Sequence, residues 1–359
     1  MRCGSTWWKN MINEWKDFLK SAGAELDESG VANFGNLRRE LSVAITGNVF
    51  ADLSHFGLIA VHGDDAEAFL QGQLTNDVSM LDGNRTQLSG LCNPKGRLLA
   101  SFRLFRYRDS FYLSLPADMV EGVINRLRMY VLRSQVTLEE AGDTFVHLGI
   151  SGDDAAECLT EFAGSLPDAV DTMTVQDDFL ILKVPGIYPS YEVFTTVTQA
   201  TELWDKLNVR SAPVGAEAWR LLNIQAGIPV IYPETREAFV PQMTNLQLIN
   251  GVSFKKGCYT GQEIVARMQY LGKLKRRMYP VRTAADEAPG TGDEIFEEKG
   301  PDQSCGRLVS VARHPDGDYA ALAVLQIGSA EGGNPLHLGS ADGPLIRLEQ
   351  LPYPFPDED

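Results

Sequence analysis

The residue of this sequence with the plainest chemistry is a lone cysteine inside a basic run. In Phe254-Lys255-Lys256-Gly257-Cys258-Tyr259-Thr260-Gly261-Gln262-Glu263 the spacing of Thr260 and Glu263 is that of a capping box. A helix is therefore predicted to start here and to run through Ile264, Val265, Arg267 and Met268. Cys258 would then stand just ahead of a helix N-terminus, where free amides, the positive end of the helix dipole and the Lys255 and Lys256 cations favour a thiolate. From Ser253 to Tyr279 the basic residues are Lys255, Lys256, Arg267, Lys273, Lys275, Arg276 and Arg277, against the single acid Glu263. Such an island suits an anion, either a polycarboxylate or an RNA phosphate. The same residues also suit a solvated basic face beside a buried structural cysteine, and spacing alone does not choose between the two.

The other chemistry-bearing residues carry less. His55, His62, His147, His314 and His337 are scattered, with no metalloprotease, nucleophile-elbow or phosphate-loop pattern around them. Asp64-Asp65 and Asp153-Asp154 follow glycines at strand-to-helix turns, where capping explains them better than a metal does. The cysteines, Cys3, Cys92, Cys158, Cys258 and Cys305, are odd in number and lack a C-x-x-C pair, so neither a disulfide framework nor a resident metal site is expected.

A chain of 359 residues exceeds the size at which one core usually stops growing, so two or three domains are expected to hold these residues. A composition of 44% hydrophobic and 22% charged residues is that of a globular chain. The net charge of −16 argues against general nucleic-acid binding and leaves only a local patch for it. Trp8, Met11, Ile12, Trp15, Phe18 and Leu19 recur at helical spacing and predict an amphipathic helix ending near Gly23, docked on the body of the protein rather than on a membrane. Lys9, Asn10, Asn13, Glu14, Lys16 and Asp17 interrupt this stretch, so no signal peptide or membrane span is expected and the cytoplasm is the default location. Ala24 to Asn36 reads as loop. Leu58-Ile59-Ala60-Val61 leads through Gly63-Asp64 into a helix around Ala66–Gln71, Leu98–Tyr107 reads as a strand, and a helix is predicted near Met119–Leu132. The strand–helix cycle recurs with strands at Val146–Ile150, Phe179–Val184 and Tyr191–Phe194 and a helix at Ala200–Leu207. A further helix is predicted between Ala212 and Gln225, with Trp219, Leu222 and Ala226 on its inward stripe and Gly227 and Pro229 as stop signals. Beyond Lys275, short strands between Gly, Pro and Asp clusters predict a small β-barrel or sandwich, and the Pro-rich, acidic stretch from Leu351 reads as a loosely held end.

Several strings carry a resemblance. Lys256-Gly257-Cys258-Tyr259-Thr260-Gly261-Gln262-Glu263 resembles the signature of the YgfZ family of folate-binding proteins, which includes mitochondrial iron–sulfur cluster assembly factors. Leu70-Gln71-Gly72-Gln73-Leu74-Thr75-Asn76-Asp77-Val78 and Asn93-Pro94-Lys95-Gly96-Arg97 resemble motifs shared with the glycine cleavage T proteins. Trp219 with Asn223–Pro229, Phe239-Val240-Pro241-Gln242 with Thr244-Asn245-Leu246, and Gly306–Ser310 are similar in the same order, so the resemblance covers roughly residues 45–352.

The resemblance implies an α+β fold of two ferredoxin-like domains and a C-terminal β-barrel, ringed around a central channel for tetrahydrofolate or a derivative. The domains expected are residues 1–36 (helix and loop), 37–143 with 212–274 (a discontinuous folate-binding domain), 144–211 (a second α+β domain) and 275–359 (the barrel and an acidic tail). Trp219 corresponds to an aromatic lining the folate site, and Phe56 stands where relatives often carry tryptophan; a flat pteridine needs such π-faces. Lys255 and Lys256 would meet the polyglutamate tail, and Cys258 would be the functional thiol. The function implied is a folate-dependent accessory role in iron–sulfur cluster assembly or repair and, through cluster enzymes, tRNA modification, with a weak RNA contact expected at the Lys273–Arg277 patch. The rival reading is a tetrahydrofolate-dependent aminomethyltransferase. T proteins place an aspartate in the strand after their equivalent of Lys95-Gly96, whereas Arg97 to Tyr107 contains no acid. Losing a positioned proton-transfer group costs about 10²–10⁴-fold in rate, which disfavours the rival and leaves open whether any reaction is catalysed.

Overall fold

The computed structural model describes residues 11–27, 30–299 and 303–355. Trp15 and Leu19 lie on one face of the helix Asn13–Ser21, and this is the face it buries. Phe18 stacks on Trp15 at 5.0 Å and Trp204 meets Trp15 edge-on at 5.7 Å. The Trp15 indole N–H donates to the buried Asp52 carboxylate at 2.8 Å, so the helix is docked by apolar packing and one polar pin. Trp8 lies outside the described residues.

The chain folds into two units. The first contains this helix and a six-stranded sheet in the order Met173–Gln176, Phe179–Val184, Ser190–Thr195, Val146–Ser151, Val49–Asp52 and Ala212–Val214. Helices Ala155–Ala163 and Val197–Leu207 contribute Leu159, Leu203, Trp204 and Leu207 to a core shared with Phe50, Ile150, Ile181 and Val193 of that sheet. Another sheet part carries Arg103–Tyr107, Ser110–Pro116, Phe56–His62 and Thr137–Glu140, with helix Val120–Val131 following Ser110–Pro116. Two expectations change here. Glu25–Asp27 and Gly30–Asn33 form an antiparallel pair rather than loop, because Val31 is fully buried in the core. The helix predicted from Ala212 begins at Ala216, because Ala212–Val214 pairs parallel to Val49–Ala51 and Gly215 turns the chain, its N–H donating to Glu40 at 3.0 Å.

The second unit carries a closed barrel in the order Arg276–Thr283, Tyr319–Gln326, Gly306–Arg313, Glu294–Glu297, Leu336–Leu338 and Leu345–Leu348. Val281, Ile295, Leu308, Ala321, Ala323 and Leu325 fill it. The end of the chain is not loose over its described part. Tyr353 donates its hydroxyl to the Gly227 carbonyl at 2.7 Å, and Phe355 lies edge-on to Tyr279 at 5.4 Å with Arg277 over its ring. The two aromatics outweigh the prolines around them.

Candidate functional site: the Cys258 loop and the Phe56 cavity

The segment before Cys258 is held by the motif at Leu70–Val78. Lys256 is buried, and its ammonium donates to three backbone carbonyls, Gln71 at 2.8 Å, Leu74 at 2.7 Å and Asn76 at 2.8 Å. Burial pushes its amine down to about 8, against a small opposing pull from Asp77. All three donors of this lysine are engaged inside the fold, so in this structure it braces the loop rather than reaching outward to an anion. Thr75 extends the brace, donating to the Gly251 carbonyl and accepting from the Gly90 N–H, both at 2.8 Å. Asn76 donates to the carbonyls of Asn250 and Leu88. The polar residues of Gln71–Asn76 thus meet the backbone partners that a buried loop requires.

Beyond this brace Lys255, Gly257 and Cys258 are exposed, while Tyr259 turns back into the core beside Lys256. The helix follows at Gln262–Tyr270 with Gly261 as its cap, at φ +85°. The expected capping box does not form, and Thr260 lies 3.5 Å from the Gln73 amide oxygen instead. Backbone proximity explains this. A Cβ on Gly261 would collide with the Asn93 carbonyl and come 3.0 Å from the Gly96 Cα, so the chain takes a left-handed glycine turn where a threonine cap would need extended backbone. Gly96 is also left-handed, at φ +69°, within a turn whose Lys95 and Arg97 amides donate to the Asn93 side chain. Gln242 donates to the Val265 carbonyl at 2.6 Å and Asn245 to that of Met278 at 2.9 Å, which tie the helix and the first barrel strand to the Pro241–Thr244 turn.

Cys258 is exposed, whereas Cys92, Cys158 and Cys305 are buried. Burial pushes the Cys92 thiol up to about 12 and also raises Cys158 and Cys305.

Phe56 and Trp219 belong to the first unit and Cys258 to the second. Phe56, part-exposed, opens the strand Phe56–His62 and lines a cavity with Leu58, Ala117, Phe145, His147 and Phe194. Its closed space is about 40 Å³, room for little more than a water. The His147 ring stacks on Phe194 at 4.0 Å, and its Nε2 lies 3.2 Å from Glu192. Burial alone would raise the Glu192 carboxyl, but His147 and Arg103 outweigh it and hold the group below its ordinary value. This buried pair was hidden among scattered histidines in the sequence; the signal was strand register, since His147 faces Phe194 across the pairing and Glu192 follows two places earlier on the same face.

Trp219 is 2% exposed and does not line that cavity. Its indole covers Gly149 so closely that a Cβ there would come within 2.6 Å of ring carbons. Its Nε1 is buried without a hydrogen-bond partner among the described residues, and such an orphan needs an explanation. Among the described residues one metal-like group, His314, Asp316 and Asp318, is bridged by the Arg282 guanidinium, which pairs with both aspartates. No helix among the described residues is long and apolar enough to cross a membrane.

Residues 31–256 match the model of the GCVT N-terminal domain family. The fold resembles the glycine cleavage system aminomethyltransferase T from Bartonella henselae, at a TM-score of 0.77 and 18% identity over 94% of this chain and 96% of that one. The "tRNA-modifying protein YgfZ" of Photorhabdus laumondii is 32% identical over 307 residues, 85% of this chain and 92% of the relative. The protein of the same name from Hamiltonella defensa is 34% identical over 278 residues, 76% of this chain and 82% of the relative. An α+β fold closing in a six-stranded barrel, with the Lys256–Glu263 and Leu70–Val78 segments clasped together, thus places the chain in the GCVT N-terminal domain family and, within it, among the YgfZ proteins.

Proposed function

We propose that this chain is a cytoplasmic, folate-binding accessory protein that supports iron–sulfur cluster assembly or repair and, through cluster enzymes, tRNA modification, with Cys258 as its functional thiol. The observation that carries the reading is the contrast between Cys258, exposed on a loop braced by Lys256, and Cys92, Cys158 and Cys305, which are buried. A thiol that must meet a partner has to be both accessible and held in place. The name of the relatives, tRNA-modifying protein, supports the direction of the role.

Tetrahydrofolate, when bound, would supply a reduced pterin that carries one-carbon units. The orphaned Trp219 indole N–H fits an acceptor on such a ligand, and the part-exposed Phe56 ring offers a π-face. The space beside Phe56 is too small for a pteridine as it stands, so binding there requires that the cavity open. Lys255 is exposed one residue from the braced Lys256, whose ammonium is already engaged by backbone carbonyls. Aminomethyl transfer is disfavoured, because the strand Leu98–Tyr107 contains no carboxylate to manage the proton.

Titration with tetrahydrofolate and folinic acid, read by tryptophan fluorescence, tests the ligand: saturable quenching is expected, weakened by Phe56→Ala. Complementation of a strain lacking its own copy tests the thiol: Cys258→Ala should fail while keeping its folate affinity. Full complementation by Cys258→Ala would remove the thiol from the function, and absence of quenching with both ligands would remove folate. Turnover with an aminomethylated lipoyl carrier would favour the transferase reading instead.

A further inference from the structure

A cavity of about 840 Å³ opens within the second unit, lined by Arg97, Phe239, Arg276, Phe296 and Arg307, with Glu294 as its acid. Its size is that of a small-molecule site, typically about 300–1,000 Å³. Three guanidinium groups against one carboxylate make it an electropositive exception on a chain of net charge −16. The three arginines are not equivalent. Arg97 is oriented by the chain, its Nη1 donating to the Ala238 carbonyl at 2.6 Å. Arg307 is paired with Glu294 at 2.8 Å, an ion pair of two part-exposed side chains that an incoming anion can exchange. The Arg276 guanidinium, half-buried at the start of the first barrel strand, has no ion pair or hydrogen bond among the described residues. A half-buried cation without an acceptor bears a desolvation cost that an anion relieves.

The rest of the wall narrows the class of anion. Phe296 is half-buried and Phe239 is buried, so the cavity offers ring surface beside its cations. Guanidinium forks match phosphate oxygens two at a time, and aromatic side chains stack nucleobases. We propose that this cavity binds a nucleoside phosphate, with Arg276 and Arg307 on the phosphate and Phe296 beside the base. The same chemistry arrives either as a free nucleotide or as one residue of an RNA strand. The site shares no lining residue with the Phe56 cavity and does not involve Cys258.

Fluorescence anisotropy of the full chain with two probes, a fluorescent adenylate and a fluorescein-labelled oligouridylate, separates those sources. Binding of the adenylate assigns a free nucleotide; binding of the oligouridylate alone assigns an RNA strand. Arg276→Gln and Arg307→Gln should each weaken the bound probe about tenfold, the loss of one charge-assisted hydrogen bond. For the RNA probe each should also reduce the slope of log affinity against log salt by about 0.7. Phe296→Ala should weaken binding by a similar factor through lost stacking, and it serves if an arginine variant fails to melt cooperatively. Lys20→Gln, on the N-terminal helix of the other unit, should bind as the parent does. Failure of both probes to bind overturns the site. Undiminished affinity in the arginine variants and Phe296→Ala does the same, and so does an equal loss in Lys20→Gln, which marks a diffuse charge effect.

Discussion

Gly96 and Gly261, far apart in the sequence, meet backbone to backbone: each has a positive φ, and a Cβ on Gly261 would lie 3.0 Å from the Gly96 Cα. Two of the sequence strings that carry the resemblance, Asn93–Arg97 and Lys256–Glu263, are therefore a single structural clasp, with Cys258 three residues ahead of the contact. Gly261→Ala should lower stability by about 1–3 kcal/mol, through both the left-handed backbone and the collision with the Asn93 carbonyl. Gly257→Ala is its control, since a Cβ there meets nothing within 4 Å. Urea midpoints of the two variants, measured side by side, check the difference.

Lys256→Met should cost at least about 3 kcal/mol, because three carbonyls lose a charged donor at once. Lys255→Ala, one residue away and exposed, should stay within about 0.5 kcal/mol of the parent. Equal losses in denaturant melts of the two would contradict the bracing role.

Native protein treated briefly with iodoacetamide at neutral pH should be alkylated at Cys258 and spared at Cys92, Cys158 and Cys305. After unfolding in urea all four should react. Peptide mapping by mass spectrometry reads the pattern, and protection of Cys258 in the native protein would count against its proposed role.

The buried Cys92 thiol makes an alkaline prediction. Its folded value is raised from 9.0 to about 12, so in that window the unfolded chain has lost a proton that the folded chain keeps. Stability contributed by this group is complete below pH 9 and declines as pH rises toward 12. Cys92→Ala should lower stability at neutral pH by opening a small gap, yet its alkaline decline should be shallower than the parent's. Thermal melts across this range decide it, and parallel slopes would show that Cys92 has no part.

How much of this was legible in the sequence depends on whether the signal was local. The Ala66–Gln71 helix and the inward face of Trp219 follow from periodicity and turn residues, and the structure has them; the short strands beyond Lys275 are legible in the same way, but the spacing leaves barrel or sandwich open and the structure closes a barrel. The Gln262–Tyr270 helix is legible but its cap is not: the Thr260–Glu263 spacing is a local rule, overridden by a contact with Gly96 that only the tertiary fold creates. The burial of Lys256 is not legible, because charge is visible in a sequence and burial is not. Ala212–Val214 read as helix for the same reason, since its strand character comes from pairing with Val49–Ala51. Glu192 and His147, on separate strands, become a pair only through register.

The anchoring of Tyr353 on Gly227, and of Phe355 beside Tyr279, turns the final described residues into a stopper. A product terminated before Leu351 would uncover an aromatic ring and a glycine notch at once, giving cellular proteases and chaperones an apolar handle that Tyr353 and Phe355 hide.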